Sequence, residues 1–264
     1  MRLSLTLGLV LLIFGSCAQA GDYEDGGKLL LAGQAAKAAE YFQRAADEGH
    51  AAAQALLATM YRTGEGVPKD SHLAATWYQK AASQGDAYGQ LGLGLMYFLG
   101  DGVRQDYQLA AHWYRQSAEQ GNVDAQTKLG ILYLDGMGVE RNPTLALQWL
   151  ERAASQGYVQ AQVGLAMLYR EGASGVAKDA ARAVPWFQKA AKGGDPKSLY
   201  SLGYAYSQGQ GVAQDFIEAH KWFNLAAAAD VPNAAKARDI LASTMTREQV
   251  AEAQRLAREW SVSR

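Results

Sequence analysis

From residue 51 to 230 the apolar positions fall into five blocks that share one pattern. Each block opens with an apolar face of helical spacing over about twelve residues, breaks at glycines, and resumes with a second helical face. Leu93, Gly94 and Tyr97 of one block return as Leu129, Gly130 and Tyr133 of the next. Leucine and tyrosine one turn apart share a helix face and are expected to pack inward. The small residue beside the leucine (Ala58, Gly94, Gly130, Ala166, Gly203) lets a second helix come close. Trp77, Trp113, Trp149, Trp186 and Trp222 mark the second helices at spacings of 36, 36, 37 and 36 residues. A period of this size predicts an all-α solenoid with one antiparallel helix pair per unit.

The punctuation agrees with that frame. Gly-x-Gly-Val follows the first helix at 64–67, 100–103, 136–139 and 209–212, where glycine permits the positive φ that reverses a chain. The valine is expected to plug the core beneath the turn. Asp70, Asp106, Asn142, Asp179 and Asp215 then stand where a second helix needs its N-cap. Gly85, Gly121, Gly157 and Gly193 stop those helices. The units therefore run 51–86, 87–122, 123–158, 159–195 and 196–230. The fourth has one extra loop residue and a proline, Pro185, inside its second helix, which predicts a bend.

Both ends deviate. Residues 21–50 form a degenerate first unit, with Tyr41-Phe42 and Ala45-Ala46 one period before Trp77-Tyr78 and Ala81-Ala82. Its first helix, expected at about 24–32, lacks the tyrosine and the glycine pair, as suits a terminal cap. Residues 231–264 read as two closing helices, 233–242 and 246–260. The second begins with a capping box (Thr246, Gln249) and a hydrophobic staple (Met245, Val250).

Residues 1–20 differ from all of this. Arg2, the apolar run Leu3 to Phe14 and the small-x-small Ala18-Gln19-Ala20 read as a secretory signal peptide. The run is shorter than the roughly 20 residues that span a bilayer. The single cysteine, Cys17, ends Ile13-Phe14-Gly15-Ser16-Cys17, which resembles a lipoprotein signal. Cleavage after Ala20 gives an exported, periplasmic protein; lipidation at Cys17 gives a membrane-anchored one. Both readings stay open. The first leaves a mature chain with no cysteine for a disulfide or a cysteine metal site.

Charge and chemistry narrow the function by exclusion. Of 264 residues nearly half are apolar, and the formal net charge is −1 with the two signs interspersed. No basic stripe is present to track phosphates, so nucleic acid is not an expected partner. His50, His72, His112 and His220 lie in different units and at different repeat positions, without metal-ligand spacing. Gly64-Glu-Gly-Val-Pro-Lys69 imitates a phosphate loop but lacks the preceding strand and the Gly-Lys-Ser/Thr ending. No catalytic residue, metal site or cofactor is expected.

The unit as a whole resembles the Sel-one-like repeat (SLR), a relative of the tetratricopeptide repeat. Ala125-Gln126, Leu129-Gly130, Tyr133, Gly136, Gly138-Val139, Ala146, Trp149 and Ala153-Ala154 carry the likeness, with Asn142 in place of the usual aspartate. It covers about 51–230 and recurs five times in register; 245–260 is similar to the tail of many bacterial members. The resemblance implies a right-handed superhelical solenoid that serves as an adaptor in protein complexes, often exported in bacteria. One cysteine-rich branch has been linked to β-lactam binding or hydrolysis, and this chain has none of those cysteines.

On each first helix three non-consensus positions lie at i, i+4 and i+7, on the face that resembles the concave lining of tetratricopeptide proteins. They are Ala55, Thr59, Arg62; Leu91, Leu95, Phe98; Thr127, Ile131, Leu134; Val163, Met167, Arg170; and Tyr200, Tyr204, Ser207. Nine of the fifteen are large and apolar or aromatic, more than a solvated face needs. Two accounts remain: a groove for an amphipathic helix or extended peptide, with Arg62 and Arg170 offered to acidic groups, or burial between units. The expected function is a non-catalytic protein-interaction scaffold at the bacterial cell envelope. The alternative is a cell-wall amide hydrolase or β-lactam-binding protein, which turnover of such a substrate would establish.

Overall fold

The structure, a computed structural model, describes residues 21–262; the segment read as a signal peptide, with Cys17, lies outside the described residues. Within them the chain forms fourteen helices and no strand. The first seven are α1 (Gly21–Leu31), α2 (Ala35–Asp47), α3 (Ala51–Thr63), α4 (Ser71–Ser83), α5 (Ala87–Leu99), α6 (Tyr107–Glu119) and α7 (Val123–Asp135). There follow α8 (Pro143–Ser155), α9 (Val159–Glu171), α10 (Ala180–Lys192), α11 (Pro196–Gln208), α12 (Phe216–Ala228), α13 (Ala234–Ala242) and α14 (Arg247–Val262). They divide into two compact units, 21–125 with 137–139, and 126–136 with 140–262. In each, antiparallel pairs pack within a pair and on the next one along the chain.

The caps set the helix starts. Asp70 accepts from the Leu73 N–H (2.9 Å), Asn142 from Leu145 (3.0 Å) and Asp179 from Arg182 (3.0 Å). Asp106 and Asp215 each take two N–H groups, those of Gln108 and Leu109 and those of Ile217 and Glu218. The same five residues donate their own N–H to the carbonyls of Tyr61, Tyr97, Tyr133, Tyr169 and Tyr206 at 2.7–3.0 Å. One residue thus starts the second helix and ties it to the end of the first. First helices are capped too, by His50, Asp86, Asn122 and Asp195, which the sequence pattern alone did not single out.

The repeated leucines Leu57, Leu93, Leu129, Leu165 and Leu202 are all buried, as the pattern predicts. The small position beside them faces the partner helix of its own pair: a β-carbon on Gly94 would meet the Tyr114 ring at 2.7 Å, and one on Gly203 the Phe223 ring at 2.5 Å. The loop valine is buried only as Val176; Val67 and Val103 lie half-buried against the first unit's core. What seals the loops instead is the second glycine. A β-carbon on Gly66, Gly102, Gly138 or Gly211 would fall within 2.0–2.5 Å of the backbone at the first residue of the preceding pair's second helix.

A second seam is polar. The buried Gln54, Gln90 and Gln126 accept from Gln84, Gln120 and Gln156 at 2.7, 2.7 and 3.2 Å, and Gln54 donates back to the Ala46 carbonyl of the preceding pair (2.9 Å). Buried amides are held this way because an unpaired polar group in the interior is costly. In the fourth repeat Gly193 stands where the second glutamine should be, and Gln162 Oε1 is buried without a partner.

Helix α10 runs without interruption through Pro185, which is exposed together with Ala181, the residue whose carbonyl an N–H at 185 would have met. The extra residue ahead of it forms a tight turn, with Ala173 and Val176 exchanging backbone bonds of 2.8 Å. Helix α1 is helical from the first described residue through the expected 24–31, and seats Gly26 on the Phe42 ring. At the other end the capping box forms in both directions: Thr246 N–H to Gln249 Oε1 (2.9 Å) and Gln249 N–H to Thr246 Oγ1 (3.2 Å).

Candidate protein-interaction face

Of the fifteen face positions, Ala55, Thr127 and Ser207 are buried, as the second account of this face allows for some of them. The cause is packing: the i and i+7 positions flank the i+4 position and are covered where a neighbouring element closes over them. The eleven candidate binding residues themselves are all at least partly exposed.

In the second unit three of them stand out. Ile131, Met167 and Tyr204 hold the same position on α7, α9 and α11 and are 43 %, 42 % and 46 % exposed. Leu134, Val163 and Tyr200 lie half-buried on the same helices, with Tyr200 tilted against Phe223 (5.3 Å between ring centres). Arg170 is engaged: it pairs with Glu171 at 2.8 Å and sits over the Phe187 ring at 5.5 Å.

In the first unit Leu91, Leu95 and Phe98 are half-buried on α5, and Phe98 packs on Tyr107 at 5.4 Å. The position that is Leu95 on α5 is Thr59 on α3, whose hydroxyl bonds the Tyr78 hydroxyl at 2.8 Å. Arg62 is half-buried, and its Nε is shielded from solvent without a hydrogen-bond partner.

The histidines separate by role. His50 caps α3 through Nδ1 (3.2 Å) and stacks on Tyr23 (4.4 Å). His72 is exposed, and His112 is exposed with its ring against the edge of Trp113. His220 is buried. Among the described residues no cluster of histidine, cysteine, aspartate and glutamate is disposed to hold a metal ion, and no helix is long and apolar enough to cross a membrane. Tyr169 is buried, donates to Glu151 at 2.6 Å and lies under Arg182; burial first, then Glu151, push its hydroxyl up to about 12. Tyr206 meets Gln188, at the place of Glu151 one unit on. These tyrosines are ties between pairs, made by groups that hold their protons at neutral pH.

Paired helices of this length, with glycine-closed loops and a capping residue per unit, define an α-helical repeat protein. The Sel1 repeat family matches six times, at 16–50, 51–86, 87–122, 123–158, 159–195 and 196–231, so the match includes the degenerate first unit. The chain belongs to the Sel1 repeat family. It is 34 % identical to a Sel1 repeat protein from Oxalobacter formigenes, over 82 % of this chain and 86 % of that one, with a TM-score of 0.74. It is 29 % identical to c5321, a protective antigen present in uropathogenic Escherichia coli strains, over 92 % of this chain and 69 % of that one, with a TM-score of 0.57. No curated protein matches. Sel1 repeat proteins are in general protein-interaction scaffolds and typically non-catalytic.

Proposed function

We propose that this chain is a scaffold of the bacterial cell envelope that seats a peptide or helix of a partner protein on the face built by its first helices. The observation that carries this is the row Ile131, Met167 and Tyr204. Three large side chains at equivalent positions of successive pairs stay more than two-fifths exposed. Side chains of this kind are the usual anchors of an interface, and their regular spacing fits an extended or helical ligand. Leu134, Val163 and Tyr200 supply the half-buried walls. The envelope location rests on the leader: a positive start, a short apolar run and Ala18-Gln19-Ala20.

The test is capture of the tagged protein from crosslinked envelopes beside a Met167→Asp/Tyr204→Asp variant that melts like wild type. A partner held by the wild type and lost by the variant supports the face; one held equally by both refutes it. The intact mass of the mature protein separates cleavage after Ala20 from lipidation at Cys17. An unprocessed chain recovered from the cytoplasm would overturn the location.

A further inference from the structure

We infer that His220 makes the seating of the closing helices α13 and α14 on the last repeat acid-labile, so that this end of the chain opens as pH falls. The repeat pattern itself draws attention to the residue. Two positions before the marker tryptophan the other units carry Ala75, Ala111, Leu147 and Val184, all apolar, and the last carries a histidine. It is 2 % exposed, and its Nδ1 is buried with no hydrogen-bond partner. A buried imidazole with an orphan nitrogen is tolerated neutral, and adding a proton there places a charge in the interior with nothing to receive it.

The surroundings oppose that charge. Helix α12, which holds His220, packs against α11, α13 and α14. From α13, Arg238 is near enough for its charge to act on the imidazole. That guanidinium is fixed in place by Asn224 on α12 (3.3 Å) and by its neighbour Asp239 (2.9 Å). Asp239 is the one carboxylate that favours the charged imidazole; burial and Arg238 outweigh it and hold the histidine below its ordinary range. On α14 the buried residues are Ala253 and Ala257, while Arg255 is turned outward to Glu252 and Glu259. The charged residue of α11, Lys197, is exposed. On α12 itself Glu218 and Lys221 bond each other.

The direction follows from linkage. The closed form takes up a proton only below the ordinary histidine pKa, whereas the opened form takes it up at that pKa. Closure is therefore fully stable above the ordinary value and weakens as pH falls beneath it. The opening constant rises by up to about tenfold per pH unit until the depressed value is reached.

Amide hydrogen exchange of the full chain at pH 7.5 and pH 5.0, corrected for intrinsic rates, tests this in α13 and α14, beside His220→Leu and His220→Gln. Trp222 and Trp260, edge to face at 5.5 Å across the same seam, give a near-ultraviolet circular dichroism signal for closure. The expected result is opening of 231–262 in the wild type at pH 5.0, reduced several-fold in His220→Leu, with α3–α6 unchanged in both. Equal acid response in wild type and His220→Leu overturns the inference. If His220→Leu misfolds, an imidazole signal that titrates at the ordinary value in the wild type, with the Trp222–Trp260 signal unchanged through it, overturns it equally.

Discussion

Replacing Gly102 with alanine should damage this protein more than the chemistry of one methyl group suggests. Gly102 has φ +69°, and a β-carbon there would lie 2.1 Å from the carbonyl oxygen of Ser71 and 2.3 Å from its carbon. The left-handed conformation costs a residue with a β-carbon about 1–2 kcal/mol. Overlap with backbone, which cannot swing aside as a side chain can, adds about 1–3 kcal/mol. The sum is roughly 2–5 kcal/mol. Gly85 is the control: its φ is +87°, yet nothing lies within 4 Å of a β-carbon placed there. Gly85→Ala should therefore lose only the backbone part, about 1–2 kcal/mol. Urea unfolding followed by far-ultraviolet circular dichroism compares the two, with midpoints read at equal slopes. If both variants lose the same stability, the loop glycine does not seal one pair to the next.

Two helix-interior glycines should respond in opposite senses. A β-carbon at Gly92 would meet the Tyr78 ring at 2.2 Å, and that ring is buried and held by Thr59, so Gly92→Ala should lower the melting temperature. At Gly164 the neighbour is Leu150 at 3.5 Å, ordinary contact, so Gly164→Ala should raise stability by about 0.5–1 kcal/mol. Tyr169→Phe removes a 2.6 Å bond to Glu151 and should destabilise by about 1–2 kcal/mol in denaturant titration; no loss would mean that the ring alone matters. Asp86 caps α5 through Gly89 (2.6 Å), and burial raises its carboxyl above the usual range. Its folded form binds a proton more readily than the unfolded one, so its contribution improves as pH falls through the carboxylate range. Asp86→Asn should keep the cap and melt at or above wild type at pH 7, the gap closing towards pH 4. Asp86→Ala should lose about 1 kcal/mol at pH 7 and more towards pH 4. An asparagine variant as unstable as the alanine one would refute the buried-charge account.

Much of this was legible along the chain because it is local and repeated. A cap and its N–H lie two or three residues apart, a leucine and tyrosine one turn apart, and five repetitions multiply a weak signal. Pairings about thirty residues apart were not legible. Nothing in Ala-Gln says that Gln54 will accept from Gln84, or that Gly193 will leave Gln162 Oε1 alone. The same holds for His50, an unremarkable histidine in sequence that proves to be a helix cap stacked on Tyr23.

By itself, then, the sequence determined the class of fold, the helix pairs and the caps of their second helices, because those follow from spacing within some forty residues. Only the tertiary structure decided which face positions stay open. It buried Thr127 and Ser207 while leaving Ile131, Met167 and Tyr204 to solvent on the same face. Exposure at i, i+4 and i+7 is fixed by how far each neighbouring pair leans over the helix, and that distance is a property of packing rather than of period.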